Sequence, residues 1–211
     1  MFVNIFSKNY NIIFDLRVMQ NRKILIIYNS GYGTTREIAE RIYNILSVEP
    51  RFNIHLKKIN DDIEINNYDG IIIGSSVRAD QLLANTRDFL SLYKEKMLSK
   101  KIALFIVSLK ANSSSGQKEV REKFINKLSS QFPSLKFMSI TAFGGKIDMK
   151  KLNPVMQNLI KHVFVDANIQ SFGSVDSRDW DKISKWAFEL KKNWCINKVI
   201  FLIIQIFLLA F

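Results

Sequence analysis

The chain has 211 residues, 47% hydrophobic and 24% charged, which excludes a disordered chain and suits one domain with extensions better than two. Lys and Arg number 31 against 19 Asp and Glu, a net charge of +12, and this balance favours anionic partners. Cys195 is the single cysteine, so an internal disulfide is excluded; the two histidines, His55 and His162, stand far apart and no metal-ligand cluster is visible, so the chemistry, if any, must come from something the protein binds.

Residues 1–18 are apolar but broken by Asn4, Lys8, Asn9, Asn11 and Asp15. They lack the basic start and clean apolar run of a secretory signal. Met19 stands just before the first strong strand, so 1–18 read as a leader or a misassigned start. From there the chain alternates. Lys23–Tyr28 (KILIIY) is a near-continuous apolar run, the pattern of a strand covered on both faces. Thr35–Leu46 places Ile38, Ala39, Ile42, Ile45 and Leu46 on one helical face. Phe52–Ile59 alternates like an edge strand. Tyr68–Val77 is a second buried strand ending in small residues. Helix follows at Thr86–Met97, strand at Lys101–Leu109, helix at Gln117–Ser130, strand at Leu135–Phe143 and helix at Lys150–Phe164. A last helix, Asp179–Lys192, carries Trp180, Ile183, Ala187 and Leu190 as its apolar stripe. Lys110–Gln117 (KANSSSGQ) is the one stretch that reads as flexible.

Five strands alternating with helices predict an α/β fold: a doubly wound parallel sheet with helices on both faces. The edge character of the second strand gives the order 2-1-3-4-5. The domain is expected over 19–192. Residues 193–211 form a tail whose run Val199–Phe211 is interrupted only by Gln205. As a helix that run is about 20 Å long, short for a full crossing. Both of its faces are apolar, so it is expected to dock on or anchor in a membrane, with Trp194 at the interface and Lys191, Lys192 and Lys198 toward anionic headgroups; an oligomer contact or an aberrant terminus is the alternative.

Ligands of open α/β sheets bind beyond the carboxyl ends of the strands. Three segments there have suitable composition: 29–35, 74–81 and 108–116. The first opens a helix, whose N-terminus favours a phosphate. Ser30, Thr34 and Thr35 add hydroxyls, and Gly31 and Gly33 let the backbone curl round an anion. A nucleotide P-loop would need a Lys after the glycines, and none follows. A dinucleotide fingerprint would need a small residue where Arg36 stands, and no acidic ribose ligand precedes Asp61.

The run Ser30-Gly31-Tyr32-Gly33-Thr34-Thr35 resembles the flavodoxin phosphate pattern [ST]-x-T-G-x-T, with Tyr32 in place of the usual Thr. The resemblance extends from about Lys23 to Lys192 and implies a flavodoxin-like fold with FMN as cofactor. YDGIIIGSSVRADQ, VSLKAN, FGGKIDMKKLNPVMQNLIKHV and DWDKISKWAFEL resemble the quinone-dependent protoporphyrinogen IX dehydrogenases. That family implies oxidation of a porphyrinogen with electrons passed to a quinone, in haem biosynthesis, at the cytoplasmic face of the cell membrane. Its long insert corresponds to Lys110–Ser134, here shorter and rich in Ser and Lys.

The resemblance places Ser76, Val77 and Arg78 against the flavin ring, with Ser75 counted among the cofactor-binding residues. The Arg78 guanidinium would favour negative charge on the ring or pair with a porphyrin propionate. Ser108, Leu109 and Lys110 would form the third ring-side segment. Tyr32 either stacks on the ligand or faces solvent. No residue is assigned as acid or base, because the flavin carries the chemistry. Electron-shuttle flavodoxins are typically acidic, whereas this chain is basic, which points to an anionic membrane surface. A flavodoxin-type electron carrier and a flavin-free binding module are the rival readings. Nucleic acid is not an expected partner, since the basic residues are spread and no aromatic-basic reader motif occurs.

Overall fold

The computed structural model describes residues 21–78, 81–166 and 173–195. The expectations for residues 1–18 and for the apolar run Val199–Phe211 lie outside the described residues. Among those described, no helix is long and apolar enough to cross a membrane.

Five long strands form the sheet: β1 (Arg22–Asn29), β2 (Phe52–Lys58), β3 (Gly70–Arg78), β5 (Lys101–Val107) and β6 (Phe137–Phe143). They run parallel in the order β2-β1-β3-β5-β6, the 2-1-3-4-5 order expected of a flavodoxin-like fold. The register follows from side-chain alternation. Ile24 and Ile26 of β1 join one core with Ile72 and Phe105. Leu25 and Ile27 join the other with Ile71, Ile73, Leu104 and Ile106.

Helices α1 (Thr34–Ser47) and α6 (Trp180–Cys195) cover the first of these faces through Ile38, Ile42, Leu46, Ile183, Ala187 and Leu190. The opposite face carries α2 (Ala84–Met97) and a segment that changes winding along its length: α3 (Ser114–Val120), a π-helical stretch (Arg121–Asn126) and α4 (Lys127–Gln131). Phe89, Leu90, Val120, Phe124 and Leu128 seal that side. Helix α5 (Pro154–Asp166) precedes the last strand.

The structure corrects several expectations. Residues 74–78 are strand, not loop. β3 continues to Arg78, and the chain returns as β4 (Gln81–Leu82), antiparallel to it. No glycine or proline follows Gly74 to stop the strand. Lys110–Gln117 is ordered. A 3-10 turn, Leu109–Asn112, leads into α3, whose N-cap Ser113 accepts from the Gly116 N–H at 3.1 Å. Gln117 Nε2 donates to the Ala142 carbonyl at 3.0 Å. These local bonds, rather than apolar periodicity, hold the segment, so its polar composition reads as disorder.

A small two-stranded sheet was also unforeseen: β7 (Lys146–Asp148) pairs antiparallel with β8 (Ser174–Asp176), with α5 between them in the chain. Its strands are too short to show an alternating pattern. Helix α6 runs to Cys195, past the expected boundary at 192. Trp194 is fully buried rather than interfacial. It fits because β3 begins at Gly70, where a Cβ would lie 2.7 Å from the indole Nε1. Trp180, expected on the apolar stripe, is 38% exposed. It lies 4.5 Å from the Arg178 guanidinium. Lys191 is drawn to Glu49 at 3.4 Å.

Candidate functional site

β1 delivers the chain to the carboxyl edge of the sheet at Asn29. Gly33 then caps α1 with φ 95°, a left-handed conformation that a side chain would strain. The Gly33 N–H donates to Ser30 Oγ at 3.0 Å, which closes the loop on itself. A glycine cap provides no side-chain acceptor for the first-turn N–H groups.

The Ser and Thr hydroxyls of this loop have different fates. Ser30 is used by Gly33. The Thr34 hydroxyl donates to the Lys146 carbonyl at 2.9 Å, tying the loop to β7. Thr35 is fully buried and its hydroxyl has no partner. A buried polar group without a partner costs about 1–3 kcal/mol. A ligand oxygen at the mouth of α1 would remove that cost and meet the helix dipole as well. The residues present therefore fit the phosphate of a cofactor. Gly31 and Tyr32 are exposed on the outside of the loop, Tyr32 by 52%.

The strand order brings the other two segments alongside. Asn29 and Ser75 are partners in register, and Ser76 pairs with Val107 one strand further on. Ser75 itself is fully buried, its hydroxyl 2.8 Å from that of Thr86, so it does not face a ligand. Ser76 and Val77 are half-buried at the base of the β3–β4 hairpin, and Arg78 pairs with Gln81 through the backbone. The Ser108 N–H donates to the Phe143 carbonyl at 3.1 Å. Leu109 packs on the small cluster of Ile147, Met149 and Leu152. Lys110 Nζ reaches Glu119 Oε1 at 3.1 Å. The third segment therefore reaches the edge through Ser108, while Leu109 and Lys110 serve packing and an ion pair.

One residue that matches no sequence pattern supports the loop from outside. Arg178 follows β8, and its side chain is 5% exposed. Its Nε and Nη2 hold the Asp176 carboxylate at 2.8 and 2.6 Å, and Nη1 donates to Glu37 Oε2. These hydrogen bonds hold the Asp176 carboxyl below its ordinary range. Glu37 lies in the first turn of α1, beside the place an anion would occupy. Arg178 neutralises that charge. His55, by contrast, bonds the Tyr68 hydroxyl at 2.7 Å on β2, away from the three segments. Among the described residues no group of three or more His, Cys, Asp and Glu could hold a metal.

Residues 25–171 match the family described as the flavodoxin domain. The chain belongs to that family. Among solved structures it is similar to Flavodoxin 1 from Bacillus cereus, at 20% identity over 71% of this chain and 99% of the other, with a TM-score of 0.43. It is also similar to a flavoprotein in complex with FMN from Lactobacillus acidophilus, at 20% identity over 57% and 93%, TM-score 0.43. A mutant flavo di-iron protein from Thermotoga maritima matches at 16% identity over 82% of this chain and 36% of the other, TM-score 0.50. That likeness concerns the fold alone. No curated protein matches the chain. Within this flavodoxin domain, the loop 30–35 stands where the fold places a ligand, beyond the end of its first strand.

Proposed function

We propose that this chain is an FMN-dependent redox protein, and more narrowly a protoporphyrinogen IX dehydrogenase that passes electrons to a quinone. The observation that carries the cofactor reading is the Thr35 hydroxyl, buried and unpartnered at the uncapped start of α1. Thr35 and the first-turn N–H groups would hold the phosphate, with Gly33 shaping the backbone round it. The hairpin arm beginning at Ser76 and the segment at Ser108 would flank the ring. When bound, FMN supplies the acceptance and release of reducing equivalents. The chain's own part is to fix the phosphate and to keep the Glu37 charge paired through Arg178.

The narrower reading rests on the resemblance of the third-strand, fourth-strand and closing-helix segments to that dehydrogenase family. The net charge of +12 and the apolar run Val199–Phe211 support docking at the cytoplasmic face of an anionic membrane.

The test uses the full chain, purified in mild detergent. Visible absorption and the cofactor released on heating are read first, then oxidation of protoporphyrinogen IX with a menaquinone analogue as acceptor. Flavin bands, released FMN and turnover support both readings. FMN without porphyrinogen turnover leaves an electron carrier in place of the dehydrogenase. A colourless protein that takes up no FMN overturns the proposal altogether.

A further inference from the structure

Three side chains from three elements meet beneath the carboxyl edge of the sheet. Asn29 ends β1, Ser75 is its register partner on β3, and Thr86 lies in the first turn of α2. Ser75 and Thr86 are fully buried and Asn29 nearly so. Asn29 Nδ2 donates to Thr86 Oγ1 at 3.1 Å. The Thr86 and Ser75 hydroxyls are 2.8 Å apart, and Ser75 Oγ donates to the Ser76 carbonyl at 3.3 Å. Each hydroxyl has a single proton. With the Ser75 proton on the Ser76 carbonyl, Thr86 donates to Ser75 while accepting from Asn29, although either hydroxyl can donate across their 2.8 Å contact. The two hydroxyls thus link the Asn29 amide to the Ser76 carbonyl.

That carbonyl also accepts the Leu83 N–H at 3.3 Å. Ser76 and Leu83 are the roots of the two hairpin arms, where Val77 pairs with Leu82 and Arg78 with Gln81. The arms project beyond the last parallel partners of β3, which are Asn29 on one side and Val107 on the other. A two-rung ladder is weak by itself. The core on this face of the sheet is mainly Ile, Leu and Phe, and apolar residues of the same shape could fill this place with little loss of stability. A fully bonded polar network instead fixes one arrangement.

We propose that Asn29, Thr86 and Ser75 are positioning residues that set the hairpin arms relative to the anion loop at Ser30–Thr35. They do so from both ends: Asn29 adjoins Ser30, and Ser75 acts through Ser76. The network thereby fixes the spacing between a phosphate at the loop and a planar ring at the hairpin. This inference rests on the FMN reading, and its test separates the two.

Thr86→Val and Thr86→Ser are made in the full chain, and FMN and inorganic phosphate are titrated separately. Thr86→Val is expected to weaken FMN about tenfold, as the loss of one preorganising hydrogen bond would, while phosphate affinity changes by less than about twofold because the loop's own bonds are untouched. The circular dichroism of bound flavin changes, and Thr86→Ser restores both. In ligand-free protein, amide exchange quickens at Leu83, whose N–H donates to the Ser76 carbonyl, and stays unchanged in the loop at Gly33. A Thr86→Val protein that loses only urea resistance, with FMN affinity, dichroism and hairpin exchange as in the parent, overturns the proposal. If the parent binds phosphate but no FMN, the FMN reading falls and amide exchange alone decides the network. Ser75→Ala, which breaks the same chain of bonds, takes the place of Thr86→Val if that variant does not fold.

Discussion

Replacing Thr35 by Val should act in opposite directions on the empty and the loaded protein. The two side chains have nearly the same shape, and the change removes only a hydroxyl that is fully buried and has no partner. Without ligand, that hydroxyl costs about 1–3 kcal/mol of desolvation, so ligand-free Thr35→Val should be more stable by about 1–2 kcal/mol, part of the gain being offset by imperfect packing of the methyl. With FMN bound, the same hydroxyl would donate to a charged phosphate oxygen, a bond worth about 1.5–3 kcal/mol. Its loss should weaken FMN by roughly 10- to 100-fold. Urea unfolding of the ligand-free proteins and fluorescence titration with FMN measure the two effects. A Thr35→Val protein that is less stable without ligand and binds FMN as tightly as the parent would falsify the assignment of Thr35 to the ligand.

Three further outcomes follow from the same geometry. Gly70→Ala should lower stability by about 1–3 kcal/mol, because the new Cβ would meet the fully buried Trp194 ring at 2.7–2.9 Å; an unchanged urea midpoint would mean that Trp194 is not seated there. Glu49 is held by hydrogen bonds from Arg51, and by Lys191, with a carboxyl pKa lowered from 4.5 to about 2. A depressed carboxylate contributes stability above its unfolded pKa and loses it as pH falls through the folded one. Parent and Glu49→Gln should thus differ by at most about 3 kcal/mol at pH 7, at about 1.36 kcal/mol per pKa unit. The gap should close as pH drops from 4.5 toward 2; a gap independent of pH in denaturation curves would refute the linkage. Arg178→Met leaves Glu37 and Asp176 unpaired beside the loop, so FMN affinity should fall about tenfold at low salt and recover partly at high salt. Titration at two ionic strengths reads this, and a loss insensitive to salt would assign Arg178 to shape rather than charge.

The parts of the fold that were legible in the sequence are those written in apolar periodicity. KILIIY and YDGIIIGSSV are continuous apolar runs because helices cover both of their faces, and Thr34–Ser47 shows its stripe because one face is wet. The loop 30–35 was legible for a different reason. It must carry glycines and hydroxyls between two strongly patterned elements, and little else looks like that. What stayed hidden is held by single hydrogen bonds between distant residues: Thr34 to Lys146, Glu37 to Arg178, Asn29 to Thr86. No local pattern encodes a contact between residues that far apart.

The same distinction separates the residues that would touch a ligand from those that make the site possible. Thr35 could be singled out from its place at the start of a helix. Arg178 could not, since a short polar run, SVDSRD, has the composition of any loop. Yet an acidic residue in the first turn of α1 would repel the anion for which the loop is shaped, unless a cation were brought to it. Glu37 alone thus implied a partner, and β7 and β8 deliver it. Glycines and hydroxyls shape the cradle, but its electrostatic fitness depends on an arginine more than 100 residues downstream.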